Sequence, residues 1–164
     1  MKKLAILLFI LFLLAGCAEQ DPLREISDAI GTDVTGGTLL EHTDSHGGFL
    51  GDGERILCVR LTEEQAAELA DGVRESEFWH PLPLSEELSA AVCGTRTETE
   101  SFGPLFPEGA VPPVENGFWF FRDRHSQSTA PASTAGLHDR SSWNFTAAIF
   151  DADTSILYYL ELDT

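Results

Sequence analysis

The sequence predicts an α+β domain, a mainly antiparallel sheet of about five strands with two or three helices packed on one face. Three observations lead there. Apolar residues recur at helical spacing in short segments with capping residues at their ends. Period-two or continuously apolar runs of strand length lie between turn signals. The order helix, strand, strand, helix, helix, strand, strand, strand is the segregated order of an α+β fold rather than a βαβ alternation.

Taken in order, Asp21-Pro22 opens a helix with an acid at the N-cap and proline in the first turn, Leu23, Ile26 and Ile30 form its apolar stripe, and Gly31 stops it. Thr38–Thr43 and Arg55–Leu61 read as strands, the second with Leu57, Val59 and Leu61 on one face. Thr62-Glu63-Glu64-Gln65 is a capping box that starts a second helix, striped by Ala66, Leu69, Ala70 and Val73. Ser85 caps a shorter helix in which Leu88, Ala91 and Val92 face inward and Gly94 ends the run. Thr95–Asn116 and Arg124–Ser142 read as long irregular crossings. Gly117–Arg122 reads as a strand buried on both faces, and Trp143–Phe150 with Ile156–Leu162 as a hairpin.

The chain begins MKKLAILLFILFLLAGC: Lys2 and Lys3, then twelve uncharged residues from Leu4 to Ala15, then small residues before Cys17. That is the layout of an export signal, and the apolar run is well short of the roughly 20 residues a spanning helix needs. Leu14-Ala15-Gly16-Cys17 resembles the lipobox of bacterial membrane lipoproteins. The resemblance implies a signal peptide over residues 1–16, acyl chains on Cys17 and a tether over 17–20 on the extracytoplasmic face of a bacterial membrane, and the length of the remainder, 21–164, fits a single domain. Two or more acyl chains anchor a protein stably where one binds marginally.

The net charge is −17, and removal of Lys2 and Lys3 with the signal takes it to −19, with no lysine left in the mature chain. A nucleic-acid role is excluded, because it requires basic patches. An apolar content of 43% supports a folded domain. Two cysteines remain, Cys58 and Cys93. Exported domains sit where disulfides form, so a Cys58–Cys93 bridge is expected, closing about 35 residues and stabilising by roughly 3–4 kcal/mol. The alternative is two free thiols acting as small hydrophobes.

The stretch HTDSHGGFLGDGER, His42–Arg55, joins two strands, whereas a phosphate-binding glycine loop runs from a strand into a helix. Its glycines therefore read as chain reversal. Just before them Asp44-Ser45-His46 has the form D-x-H, which recurs at Asp123-Arg124-His125. Residues i and i+2 of an extended chain face the same way, so each pair offers a carboxylate and an imidazole together. Three readings stand: a divalent transition-metal site of Asp44, His46, Asp123 and His125, an acid/base site on the same residues, or two aspartates that orient their own histidines. Asp151, Asp153 and Ser155 lack the glycine and the closing glutamate of a calcium loop and read as a hairpin turn. No G-x-S-x-G elbow is present, so no catalytic residue is assigned. Arg140, Trp79, Trp119 and Trp143 are candidates for a sugar or peptide groove or for core and rim.

The segments DSHGGFLGDG, GFWFFRDRHS and SSWNFTAAIFDADTSILYYLELDT resemble those of small bacterial lipoproteins and secreted proteins to which no activity is attached. The leading expectation is a membrane-anchored, non-enzymatic binding module of the cell envelope, with no cofactor. The alternatives are a hydrolase using the two D-x-H pairs, with or without a divalent metal, and an inhibitor or immunity-type protein with an acidic contact face.

Overall fold

The computed structural model describes residues 21–47, 51–99 and 101–164. The signal, Cys17 and the tether to Gln20 lie outside the described residues, as do Gly48, Phe49 and Leu50 of the glycine-rich stretch.

Helix α1 (Pro22–Ile30) starts where Asp21 accepts a hydrogen bond from the Leu23 N–H and ends at Gly31 in the left-handed region, with Leu23, Ile26 and Ile30 buried. Strands β1 (Thr38–Asp44) and β2 (Gly53–Arg60) form an antiparallel hairpin. Helix α2 (Glu63–Gly72) carries the capping box: the Thr62 hydroxyl accepts from the Gln65 N–H and the Gln65 side chain accepts from the Thr62 N–H. A short strand, β3 (Trp79–Pro81), precedes α3 (Glu86–Cys93), which Ser85 caps. A two-stranded ribbon follows, β4 (Thr95–Arg96) with β5 (Ser101–Phe102), then β6 (Gly117–Asp123), β7 (Asn144–Asp151) and β8 (Ile156–Asp163).

The main sheet has six strands in the order β1-β2-β8-β7-β6-β3, every pairing antiparallel. The protein is thus an α+β domain with a mainly antiparallel sheet. β3 escapes sequence reading because three residues ending in a proline are too short to show a period.

Alternation of side chains along the strands divides the core in two. On one face Leu57, Val59, Phe120, Phe150, Leu157 and Tyr159 meet α1 and α2 through Ile26, Ile30 and Leu69. On the other, Phe121, Phe145, Ile149 and Leu160 meet α3 through Leu88, Ala91 and Val92. That second face is completed by Phe106 and Leu137, which the two long irregular segments supply. Burial on both faces explains the continuous apolar run of β7, NFTAAIFD, where one solvated face would show alternation. At the start of β6, Gly117 has φ +148° and a side chain there would meet the Phe150 carbonyl oxygen, so only glycine fits against β7.

The expected Cys58–Cys93 bridge is not formed: both cysteines are free, Cys58 half-buried on β2 and Cys93 exposed at the end of α3. The two lie on different elements, Cys58 on β2 and Cys93 at the C-terminal end of α3, beside an apolar groove of ≈ 260 Å³ that Leu82, Val92 and Ile149 help to line. Burial raises the Cys58 thiol above its ordinary value, with the Glu41 charge adding to the effect.

Candidate functional site

With every pairing antiparallel, β1, β8 and β6 run in one direction and bring their C-terminal residues Asp44, Asp163 and Asp123 to the same end of the sheet. The candidate residues gather there because each strand exit carries an aspartate, and at Asp44 and Asp123 it turns the chain. The Asp44 carboxylate accepts from the His46 N–H at 2.9 Å and the Asp123 carboxylate from the His125 N–H at 3.0 Å. This is the Asx-turn, in which a short carboxylate replaces the backbone acceptor two residues ahead. The same turn forms at Asp33 with Thr35 and at Asp151 with Asp153, where no histidine is involved. The recurring part of the D-x-H pattern is therefore the aspartate at a turn.

Beyond the turn the two pairs differ. The Asp44 carboxylate also holds the His46 ring, Nδ1 lying 2.8 Å from Oδ1, while Nε2 on the far side of the ring faces Asp163 Oδ2 at 3.3 Å. Arg55 on β2 pairs with Glu25 of α1 and approaches Asp44 at 3.6 Å. Arg124 closes the row as a fork on Asp163, with its terminal nitrogens 3.0 Å from Oδ1 and Oδ2, and it reaches Glu161 at 3.1 Å. Its Nε donates to Thr146 Oγ1 at 3.0 Å. One polar chain, Glu25–Arg55–Asp44–His46–Asp163–Arg124–Glu161, thus runs across the end of the sheet beside an open cleft of ≈ 400 Å³. Desolvation pushes the Asp44 carboxyl up, but the hydrogen bonds from His46 and the charge of Arg55 outweigh it and hold the group below the usual carboxylate range. Tyr159, whose hydroxyl donates to Glu161 Oε2 at 3.1 Å, is raised well above an ordinary phenol, by burial first and by the Glu161 charge second.

Asp123 points to the opposite face, since Trp119, Phe121 and Asp123 alternate with Phe120 and Arg122 and the first two lie in the α3-side core. Its side chain is 0% exposed and pairs with Arg140, from the long segment before β7, at 2.7 Å. Burial raises this carboxyl, and Arg140, Ser128 and the His125 N–H together more than reverse that, so it too is lowered. The His125 ring stands apart and accepts from the Gln127 N–H at 3.3 Å.

The four residues of the expected metal or acid/base site are not brought together. β1 and β6 are four strands apart in the sheet, roughly 19 Å at about 4.8 Å per spacing, and the two carboxylates lie on opposite faces. Nor does the His46 cluster converge: its two ring nitrogens point away from each other, each at its own carboxylate. Among the described residues no group of three or more His, Cys, Asp or Glu side chains is arranged to hold a metal ion. The tryptophans are structural as well. The indole N–H groups of Trp79, Trp119 and Trp143 donate to the carbonyls of Ile30, Pro81 with Pro83, and Leu137 respectively.

Sequence reading passes over Arg124 and Asp163 and offers Arg140 only as a groove residue, whereas it pairs with the buried Asp123. The available signal was scarcity: with eight arginines against 27 acids, an arginine directly after a buried strand is a strong candidate for a multiply paired cation. The glycines of the loop are structural at Gly53, where a side chain would collide with the backbone of Ser45 and His46. Ser45 closes this hairpin, its hydroxyl accepting from the Glu54 N–H at 2.8 Å. Comparison with models of protein families, with curated proteins and with solved structures finds no match to this chain.

Proposed function

We propose that this protein is a lipid-anchored, non-enzymatic binding module on the extracytoplasmic face of a bacterial membrane, held there by acyl chains on Cys17. The observation that carries the reading is the lipobox-like Leu14-Ala15-Gly16-Cys17 at the end of an export signal, with only Ala18, Glu19 and Gln20 between Cys17 and the Asp21 that caps α1. At about 3.5 Å per residue that tether spans at most roughly 14 Å, so the domain is held against the membrane surface. Among the described residues no helix is long and apolar enough to cross a membrane.

The binding role is supported by the state of the polar groups. Asp44, His46, Asp163, Arg124, Asp123 and Arg140 are engaged with one another and brace strand ends, so the acidic surface, rather than a set of poised acid/base groups, is what the domain offers. With −19 on the mature chain the favoured partner is cationic, the chemistry of the inhibitor or immunity-type reading.

Fractionation of cells expressing the native chain and Cys17→Ser tests the anchor. The native protein is expected in membranes with a lipid-bearing N-terminal cysteine by mass spectrometry, and the variant is expected to be released or left unprocessed. Membrane retention of Cys17→Ser, or a mature N-terminus without lipid, would overturn the proposal.

A further inference from the structure

The two edges of the sheet are built differently. β3 has three residues and ends in Pro81, both of which prevent another strand from adding to it. β1 has seven residues, TLLEHTD, without proline, and among the described residues it pairs on one side only, with β2. All of its residues except Leu39 are exposed, and Leu40 is an exposed large apolar side chain. An edge of this kind presents unpaired N–H and C=O groups as a template for a further strand. A bulge between Leu39 and Glu41 twists its first half, but from Glu41 to Asp44 the strand is regular, in register with Cys58 to Arg55.

The charge on the edge selects the occupant. Glu41 on β1 and Glu54 on the adjoining strand share the face of Ile56 and Cys58. Glu41 makes no ion pair among the described residues, and neither does Glu54. A second copy of the chain is a poor fit. An antiparallel two-fold pairing that uses all seven residues sets Glu41 directly opposite its own counterpart, and like charges so placed destabilise a pair, on molecules that already repel through their net charge. We infer that β1 receives an extended segment of a partner protein bearing lysine or arginine, added as a seventh strand with basic side chains on the face that carries Glu41. This names the partner chemistry for the proposed binding module and rests on that reading, although strand addition does not require the lipid.

Full-length protein in detergent is titrated with a seven-residue peptide alternating lysine and valine, with the same peptide N-methylated at alternate backbone nitrogens, and with its glutamate–valine counterpart, while hydrogen exchange is followed at Thr38–Asp44. The lysine peptide is expected to bind and to slow exchange in β1. N-methylation, the glutamate exchange and the protein variant Glu41→Lys are each expected to weaken binding at least tenfold. Equal affinity for the N-methylated peptide would mean charge attraction without strand pairing and overturn the inference. So would lack of binding at millimolar lysine peptide, or protection that falls elsewhere than β1. Because the measurement is independent of Cys17, it can fail while the anchor stands, and the reverse.

Discussion

Asp44-Ser45-His46 and Asp123-Arg124-His125 have the same form and make the same turn, yet one is an exposed link in a surface row and the other closes a buried ion pair. The difference arises from strand parity and position. Asp44 exits an edge strand that is exposed along nearly its whole length, and its side chain is 37% exposed. Asp123 exits β6, which has β7 on one side, β3 on the other and core on both faces, so its carboxylate enters the core and must be met by a cation. The lesson is that a short pattern of residue types records the local turn, while the energetic weight of each side chain is set by the sheet around it.

The comparison can be broken most strongly at Arg140. Arg140→Ala leaves the Asp123 carboxylate buried without its partner, and a loss of about 3 kcal/mol is expected in urea denaturation. The effect should depend on pH in a defined sense. Asp123 is held below its ordinary value, so the stability it contributes is complete above about pH 4, near the unfolded-chain value, and disappears as pH falls through the lower folded value. The gap between native protein and Arg140→Ala should therefore narrow below about pH 4. A gap that is constant with pH would show that the carboxylate is not what the arginine serves.

Arg124→Ala comes next. It removes the fork on Asp163, the contact to Glu161 and the bond to Thr146 at once, but from a side chain 31% exposed, where solvent screening discounts each ion pair. A loss of about 1–2 kcal/mol is expected, with Arg124→Lys recovering less than half, because an ammonium cannot reproduce the fork.

Asp44→Ala should cost the least, below about 1 kcal/mol, since it removes one turn acceptor and exposed contacts to His46 and Arg55. A loss matching that of Arg140→Ala would erase the distinction between the two turns.

Much of the fold was legible because its signals are local. The Asp21 and Thr62 caps, the Gly31 stop, the period of β2 and the apolar run of β7 depend only on neighbouring residues. What stayed hidden depends on distant ones. Phe106 and Leu137 sit in segments that read as surface crossings, yet they are buried in the core of one sheet face, because residues isolated among Pro, Gly and Ser show no period. The placement of α3 on the opposite face from α1 and α2 follows from topology, which single elements do not encode. At the candidate site the aspartates were visible and their partners were not. Asp163 lies on a different strand from His46, and Arg140 is far along the chain from Asp123, with no spacing rule joining them.

The most direct test of the central claim, that the two Asp-x-His turns are separate structural devices, is a calorimetric titration of zinc into metal-free full-length protein and into His46→Ala and His125→Ala. With the two histidines on strand exits four positions apart in the sheet, neither substitution should remove a bound zinc, and each should leave stability within about 1 kcal/mol of the native value. A stoichiometric zinc that both substitutions abolish would contradict the account, since it would require His46 and His125 to meet at one ion.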